Sequence, residues 1–351
     1  MTAAIKSSGI GSVLGKIVKI AIPVAITIGL CYVLFTGVDF GAMMQVIRKD
    51  CNFWWIGLGL AISILSHIVR AMRWKIQLNA LGIYPPLFWI VLSIFGTYAI
   101  NLVFPRLGEV WRTGYIASRQ KAPFTTVLGS MVADRLADTV TVLTLSLITF
   151  LAAAPALLAF LNRYPEVYQG IVDAATSPWI WGTVIVLVVV LWRFLTMRTS
   201  NSILLKIRQS LKELWQGFAV ITHMQGRVRW LILTFGIWGC YFMQLYVAFF
   251  AFPFTAEVIH NHGIVAALVC FCLSSIAMGI PSNGGIGPWQ IAIIFGLTIY
   301  APMAMTSAET DIFNINAAAF ANLVLGMQTL LLIILGLFTF AAIALSKRRL
   351  S

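Results

Sequence analysis

Three short stretches carry the residues able to do chemistry. In MVADRLADTVTVL, residues 131–143, Asp134 and Asp138 are four apart and so share a helical face, while Arg135 is three from Asp138 and within pairing reach. In NLVFPRLGEVWRTGY, residues 101–115, Asn101 precedes a Pro105-Arg106-Leu107-Gly108 break, and Glu109 stands three before Arg112, close enough to pair locally. In IPSNGGIGPWQ, residues 280–290, Pro281, Asn283, Gly284 and Gly285 interrupt a second apolar run ahead of Gln290. Guanidinium matches phosphate oxygens bidentately, so Arg106, Arg112 and Arg135 could hold a phosphate group. Glu109, Asp134 and Asp138 could balance those charges or hold a cationic group. The two breaks would expose backbone N–H and C=O groups that only protein or a polar cavity can satisfy.

The elements that carry these residues belong to a membrane. Of 351 residues, 60% are hydrophobic and 10% charged, with a mean hydropathy of +0.93. A water-soluble domain must present a largely polar exterior, which this composition cannot supply. Apolar runs suggest helices at 17–37, 53–70, 126–151, 179–196, 230–252, 263–281 and 317–345, with broken or short segments at 84–104 and 288–302. The expectation is an all-α polytopic integral membrane protein of roughly six to eight transmembrane helices plus re-entrant segments. It forms a single transmembrane domain over 1–351, and its first helix is retained because no small-residue cleavage site follows it. If the helix at 126–151 starts near Thr126, Asp134 lies ~12 Å along it, well into one leaflet. A charge there costs roughly 2.5–3.5 kcal/mol on insertion scales and should face the protein interior.

Charge distribution sets the topology. The net charge of +13 comes from short loops between spans, which is the positive-inside pattern and not a nucleic-acid surface. Segments assigned to the cytoplasm hold 20 of the 24 Lys and Arg residues, those assigned outside hold three, and Arg135 is left within a helix. Both termini are then cytoplasmic. Residues 70–83 and 105–125 are both basic, so the segment 84–104 between them should return to the side it left. The predicted re-entrant regions are 84–112 and 278–302; if 263–302 is a hairpin entering from outside, the two halves form a pseudo-inverted pair, a pattern that points to a transporter's central site.

Other features read as structural. Residues 202–218, SILLKIRQSLKELWQGF, put apolar side chains on one face and Lys206, Arg208 and Lys212 on the other, as in an interfacial helix on the cytoplasmic leaflet. Trp54, Trp55, Trp179, Trp181 and Trp230 sit at span ends, as interface anchors do. His67, Arg70 and Arg73 lie near the end of their helix, as snorkelling residues would. The five cysteines form no C-x-x-C pair and read as small buried hydrophobes. His260 and His262 lack further ligands, so neither a metal nor a cofactor is expected.

In order and spacing, Asn101…Pro105-x-x-Gly108-Glu109-x-x-Arg112, Asp134-Arg135-x-x-Asp138 and Pro281-x-x-Gly284-Gly285-x-Gly287 together resemble the lysylphosphatidylglycerol synthase transmembrane-region family, also described as flippase-like. The resemblance spans essentially the whole chain. It implies a multi-pass protein of a bacterial or archaeal cytoplasmic membrane that handles lipid. In two-domain relatives this unit is thought to move aminoacylated phospholipid between leaflets, while a soluble domain attaches the amino acid. Few residues follow the helix at 317–345, so lysyltransferase activity is not expected and no catalytic residue is assigned. Two positions depart from the family pattern: Asp134 stands where Glu is common, and Gln290 where a Glu commonly follows the glycine-rich break. Gln cannot titrate, which puts a proton-coupling role there in doubt.

The leading expectation is a lipid translocase or lipid-export protein whose breaks and charged helix line a path for a headgroup. Its partner would be a membrane lipid: an anionic or aminoacylated phospholipid, or a polyprenyl-linked lipid. A homo-oligomer or a lipid-modifying enzyme is a further partner, and nucleic acid is not. Two alternatives stand beside it: a membrane-embedded enzyme acting on lipid-linked substrates, and a non-transporting partner of a lipid-modifying enzyme.

Overall fold

A computed structural model describes residues 39–196, 224–302 and 305–348. The helix expected at 17–37 and the interfacial helix expected at 202–218 lie outside the described residues. Every regular element among the described residues is helical. Six helices are long and apolar enough to cross a bilayer, and the protein is a multi-pass helical membrane protein.

Helix α1, Phe40–Asp50, is short and amphipathic, and the Asp39 side chain caps it by accepting from Gly41 N at 2.7 Å. Helix α2, Phe53–Ala80, is capped by Asn52 and runs ten residues beyond the predicted 53–70. Arg70, Arg73 and Lys75 end the apolar run but not the helix. Helix α3, Leu87–Val103, and helix α4, Leu107–Arg119, flank the first break. Helix α5, Phe124–Ala152, carries the paired aspartates. Two short helices unforeseen from hydropathy follow, α6 at Ala154–Arg163 and α7 at Pro165–Thr176, each with proline in its first turn. Helix α8, Pro178–Thr196, is exposed along its described length and apolar all round, which suits lipid and not water.

Helix α9, Arg227–Ala248, packs along α2 more extensively than any other pair of helices among the described residues. Gly59 permits the close approach, since a Cβ there would lie 3.2 Å from the Gln244 carbonyl. Helix α10, Pro253–Ala277, is long enough to span as one piece, but Gly263 breaks it with φ 68° and ψ −164°. Helix α11, Pro288–Ile299, returns from the second break. Helix α12, Ser307–Arg348, has 42 residues and reaches ~63 Å at 1.5 Å per residue.

Both breaks are helical hairpins. In the first, α3 and α4 lie against each other, and Arg119 stacks over the Trp89 ring at 3.4 Å, so the hairpin's two ends lie together. Its limbs have 17 and 13 residues, ~26 and ~20 Å, short of the roughly 30 Å hydrocarbon core. In the second, the part of α10 after Gly263 packs on α11. Gly296 is pressed against Cys270, and the His262 ring lies tilted against Tyr300, centroids 4.9 Å apart, again joining the ends.

Helix α12 serves as a ruler for the two. Near Asn322 it meets Gln290, at the tip end of the second hairpin. Near Gly336, Thr339 and Phe340 it meets Ala99, Leu92 and Trp111 of the first. The hairpins therefore approach from opposite ends of α12, tips facing.

Candidate functional site

The first hairpin's turn is built by its own residues. Pro105 and a left-handed Arg106 (φ 63°) reverse the chain after Phe104. Gly108 sits so close to α3 that a Cβ would collide with the Thr97 carbonyl oxygen. Its N–H donates to Asn101 Oδ1 at 2.8 Å, while the Asn101 amide donates to Glu109 Oε2 at 3.2 Å. Asn101 thus satisfies the first turn of α4 and orients the carboxylate. Glu109 Oε1 in turn accepts from Arg135 Nη2 of α5 at 2.8 Å. Two expected pairings are therefore corrected. Arg135 reaches across to α4 and does not pair with Asp138 on its own helix, and Glu109 takes Arg135 in preference to Arg112.

The two hairpin tips touch. Arg106 Nη2 donates to the Gly279 carbonyl at 2.8 Å, and the Asn283 amide lies 3.5 Å from the Val103 carbonyl. Gly284, at φ 63°, abuts Leu102, and a Cβ there would come within 2.5 Å of the leucine side chain. Gly285 and Gly287 also have positive φ, so the turn after Pro281 requires their freedom. Gln290 points away from the junction. Its oxygen accepts from Gly287 N at 2.6 Å and its amide donates to Asn322 at 2.8 Å, which makes it a helix cap tied to α12.

Asp134 and Asp138 meet two arginines from α2. Arg70 Nη1 lies 3.1 Å from Asp134 and 2.8 Å from Asp138, while Arg73 Nη2 lies 2.6 and 2.8 Å from the same two. Each arginine touches both aspartates because three-residue spacing on α2 faces four-residue spacing on α5. Arg70 Nε also donates to Tyr241 at 3.1 Å, whose hydroxyl is 3.4 Å from that of Tyr98, and Arg73 lies over the Trp230 ring. Arg70 and Arg73 are 2% and 0% exposed, so the expectation that they snorkel is wrong. His67 is buried with them, between Phe95 and Tyr98. Trp230, expected as an interface anchor, is buried too. The missed signal was a polar stripe at helical spacing, Ser63, Ser66, His67, Arg70, Arg73 and Gln77, running down one side of α2.

A family model described as lysylphosphatidylglycerol synthase TM region matches residues 20–310. The chain belongs to that family. Comparisons with curated proteins and with solved structures each give no match. Within the lysylphosphatidylglycerol synthase TM region, the sequence motifs fall into two adjoining clusters: the hairpin tips with Asn101, Glu109 and Arg135, and the Arg70–Arg73–Asp134–Asp138 quartet.

Arg112 is within electrostatic reach of both clusters, Asp134 and Glu109 included, but bonds to neither. It is 1% exposed, lies over the Trp74 ring at 4.4 Å, and joins none of the ion pairs among the described residues. Its Nε and Nη2 have no hydrogen-bond partner. A desolvated cation–π contact contributes ~2 kcal/mol, against an effective penalty of several kcal/mol for a buried ion. Stacking alone does not offset burial. These charges are packed closed; an open cleft of about 360 Å³ lies elsewhere, lined by Asp50, Glu257 and Asn316 among others.

Proposed function

We propose that this membrane protein is a lipid translocase, passing a phospholipid or lipid-linked headgroup along the hairpin junction while the acyl chains stay in the bilayer. The observation that carries this reading is the meeting of two short hairpins, tip to tip, beside the Asn101–Glu109–Arg135 bridge. Irregular backbone at membrane depth is stable only where protein or a polar cavity satisfies it. A junction held by a few tip contacts can part without unfolding either hairpin. In this reading both hairpins are re-entrant, the first from the cytoplasm and the second from outside, both termini are cytoplasmic, and the membrane is a bacterial or archaeal cytoplasmic one. The protein performs no covalent chemistry on its substrate.

Liposomes reconstituted with the purified chain and a fluorophore-labelled phospholipid test the proposal by the rate at which outer-leaflet label becomes accessible to quencher. Glu109→Gln and Arg135→Ala break the bridge and should each slow movement by at least about ten-fold, the loss of one charge-assisted contact. Unchanged movement in both variants, with thermal unfolding as in the wild type, would sink the translocase reading.

A further inference from the structure

Among the described residues the buried charged side chains are Arg70, Arg73, Arg112, Asp134 and Asp138. The quartet is internally neutral, and the half-buried Arg135–Glu109 pair adds nothing. One positive charge is left over, and it belongs to Arg112. From this surplus, and resting on the translocase reading, we infer that the site takes a single phosphodiester anion on Arg112 and rejects cationic headgroups.

The geometry of Arg112 fits that occupant. Trp74 covers one face of the guanidinium, so a ligand must approach in the plane of the group. Nε and Nη2, the two unpartnered nitrogens, are the adjacent donors of its side-on fork, which matches two oxygens of one phosphate. Arg106 and Arg135 are engaged elsewhere, with the Gly279 carbonyl and with Glu109. Arg112 is therefore the anchor that sequence spacing alone could not single out from the three.

The same accounting argues against a cation. Asp134 and Asp138 each face two arginines, and Glu109 faces Arg135 and the Asn101 amide. An ammonium group entering here would meet no unpaired carboxylate and one guanidinium that belongs to no ion pair, a repulsive arrangement. A phosphodiester from a lipid and a soluble phosphate share the needed chemistry. The lipid is favoured because Val103, Leu107 and Val110, around the same turn, expose apolar side chains on which acyl chains can lie.

The test is lipid retention by the full chain, purified in detergent and observed by native mass spectrometry with equal amounts of phosphatidylglycerol, phosphatidylethanolamine and lysylphosphatidylglycerol. The wild type should retain phosphatidylglycerol over the lysyl form by at least about ten-fold. Arg112→Gln should bring the two within about two-fold, and Arg112→Lys, which keeps the charge but not the fork, should fall between them. Without added lipid Arg112→Gln should unfold no lower than the wild type, because an unpaired buried charge is removed. A lowered unfolding temperature with the lipid preference intact would make Arg112 a structural residue and overturn the inference. Displacement of phosphatidylglycerol by equimolar glycerol 3-phosphate would overturn the lipid as the source of the anion. Vesicle transport separates the two readings. Charge preference without transport removes the translocase and leaves the anion site; transport without charge preference does the reverse.

Discussion

The quartet of Arg70, Arg73, Asp134 and Asp138 shows how a residue pair legible in the sequence can be half of a larger object. The two aspartates are recognisable from their i, i+4 spacing inside an apolar run. Their partners are not, because arginines at the end of a hydrophobic stretch also fit snorkelling, and only the packing of α5 on α2 decides between the two. The consequence can be measured. Asp138 accepts from Arg70 at 2.8 Å and Arg73 at 2.8 Å, so Asp138→Asn leaves two buried guanidiniums sharing one carboxylate. Breaking a buried pair from one side costs ~3–5 kcal/mol, far more than the ~0–1 kcal/mol of an exposed pair. Thermal unfolding in detergent should therefore drop sharply for Asp138→Asn. A shift no larger than that of an exposed substitution such as Arg48→Gln would mean that water reaches the quartet and that the pairs are not desolvated.

Elements were legible wherever hydropathy and charge spoke together. Basic residues on both flanks make 84–104 a segment expected to return to its own side; the structure shows a helical hairpin there, with its second limb reaching Arg119 instead of ending near 112. The turn after Pro281 was visible in its glycines. Helices α6 and α7 are not foreseen because, at 10 and 12 residues, they fall below the length of a crossing run. The tip-to-tip contact was invisible in principle, since no local pattern brings Arg106 to Gly279. Within the first hairpin the close approach rests on Gly108. Alanine is intrinsically ~1 kcal/mol better than glycine in a helix, but a methyl at this position collides with the Thr97 carbonyl and displaces the Asn101 contact. Overpacking of that kind costs ~1–3 kcal/mol, so Gly108→Ala should destabilise the protein and Gly114→Ala, whose added Cβ meets only Phe124 at 3.9 Å, should not. Equal unfolding temperatures for the two variants would show that α4 does not lie against α3 as described.

At the scale of the whole molecule, the two hairpins have opposite polarity along α12, and that fixes which surfaces share a side of the membrane. The first hairpin opens beside Arg119 and Lys121, toward the C-terminal part of α12, where Lys347 and Arg348 also lie. The second opens at Tyr300, next to the start of α12 at Ser307. If α12 crosses the bilayer, residues 118 and 307 must lie on opposite faces, and in the proposed topology the excess of basic residues puts the 118 face in the cytoplasm. Both positions are exposed serines, so cysteine can replace them in a variant lacking the five native cysteines. In intact cells an impermeant maleimide should label Ser307→Cys and spare Ser118→Cys, and permeabilising the cells should make both reactive. If the first hairpin is re-entrant, α3 and α4 together contribute no net crossing, and a cysteine at Leu81, at the end of α2, labels from the same side as Ser118→Cys. Had α3 been a complete span with α4 lying outside it, residues 81 and 118 would react from opposite sides. That outcome would remove the first re-entrant hairpin, and with it the reason for placing a polar path at its tip.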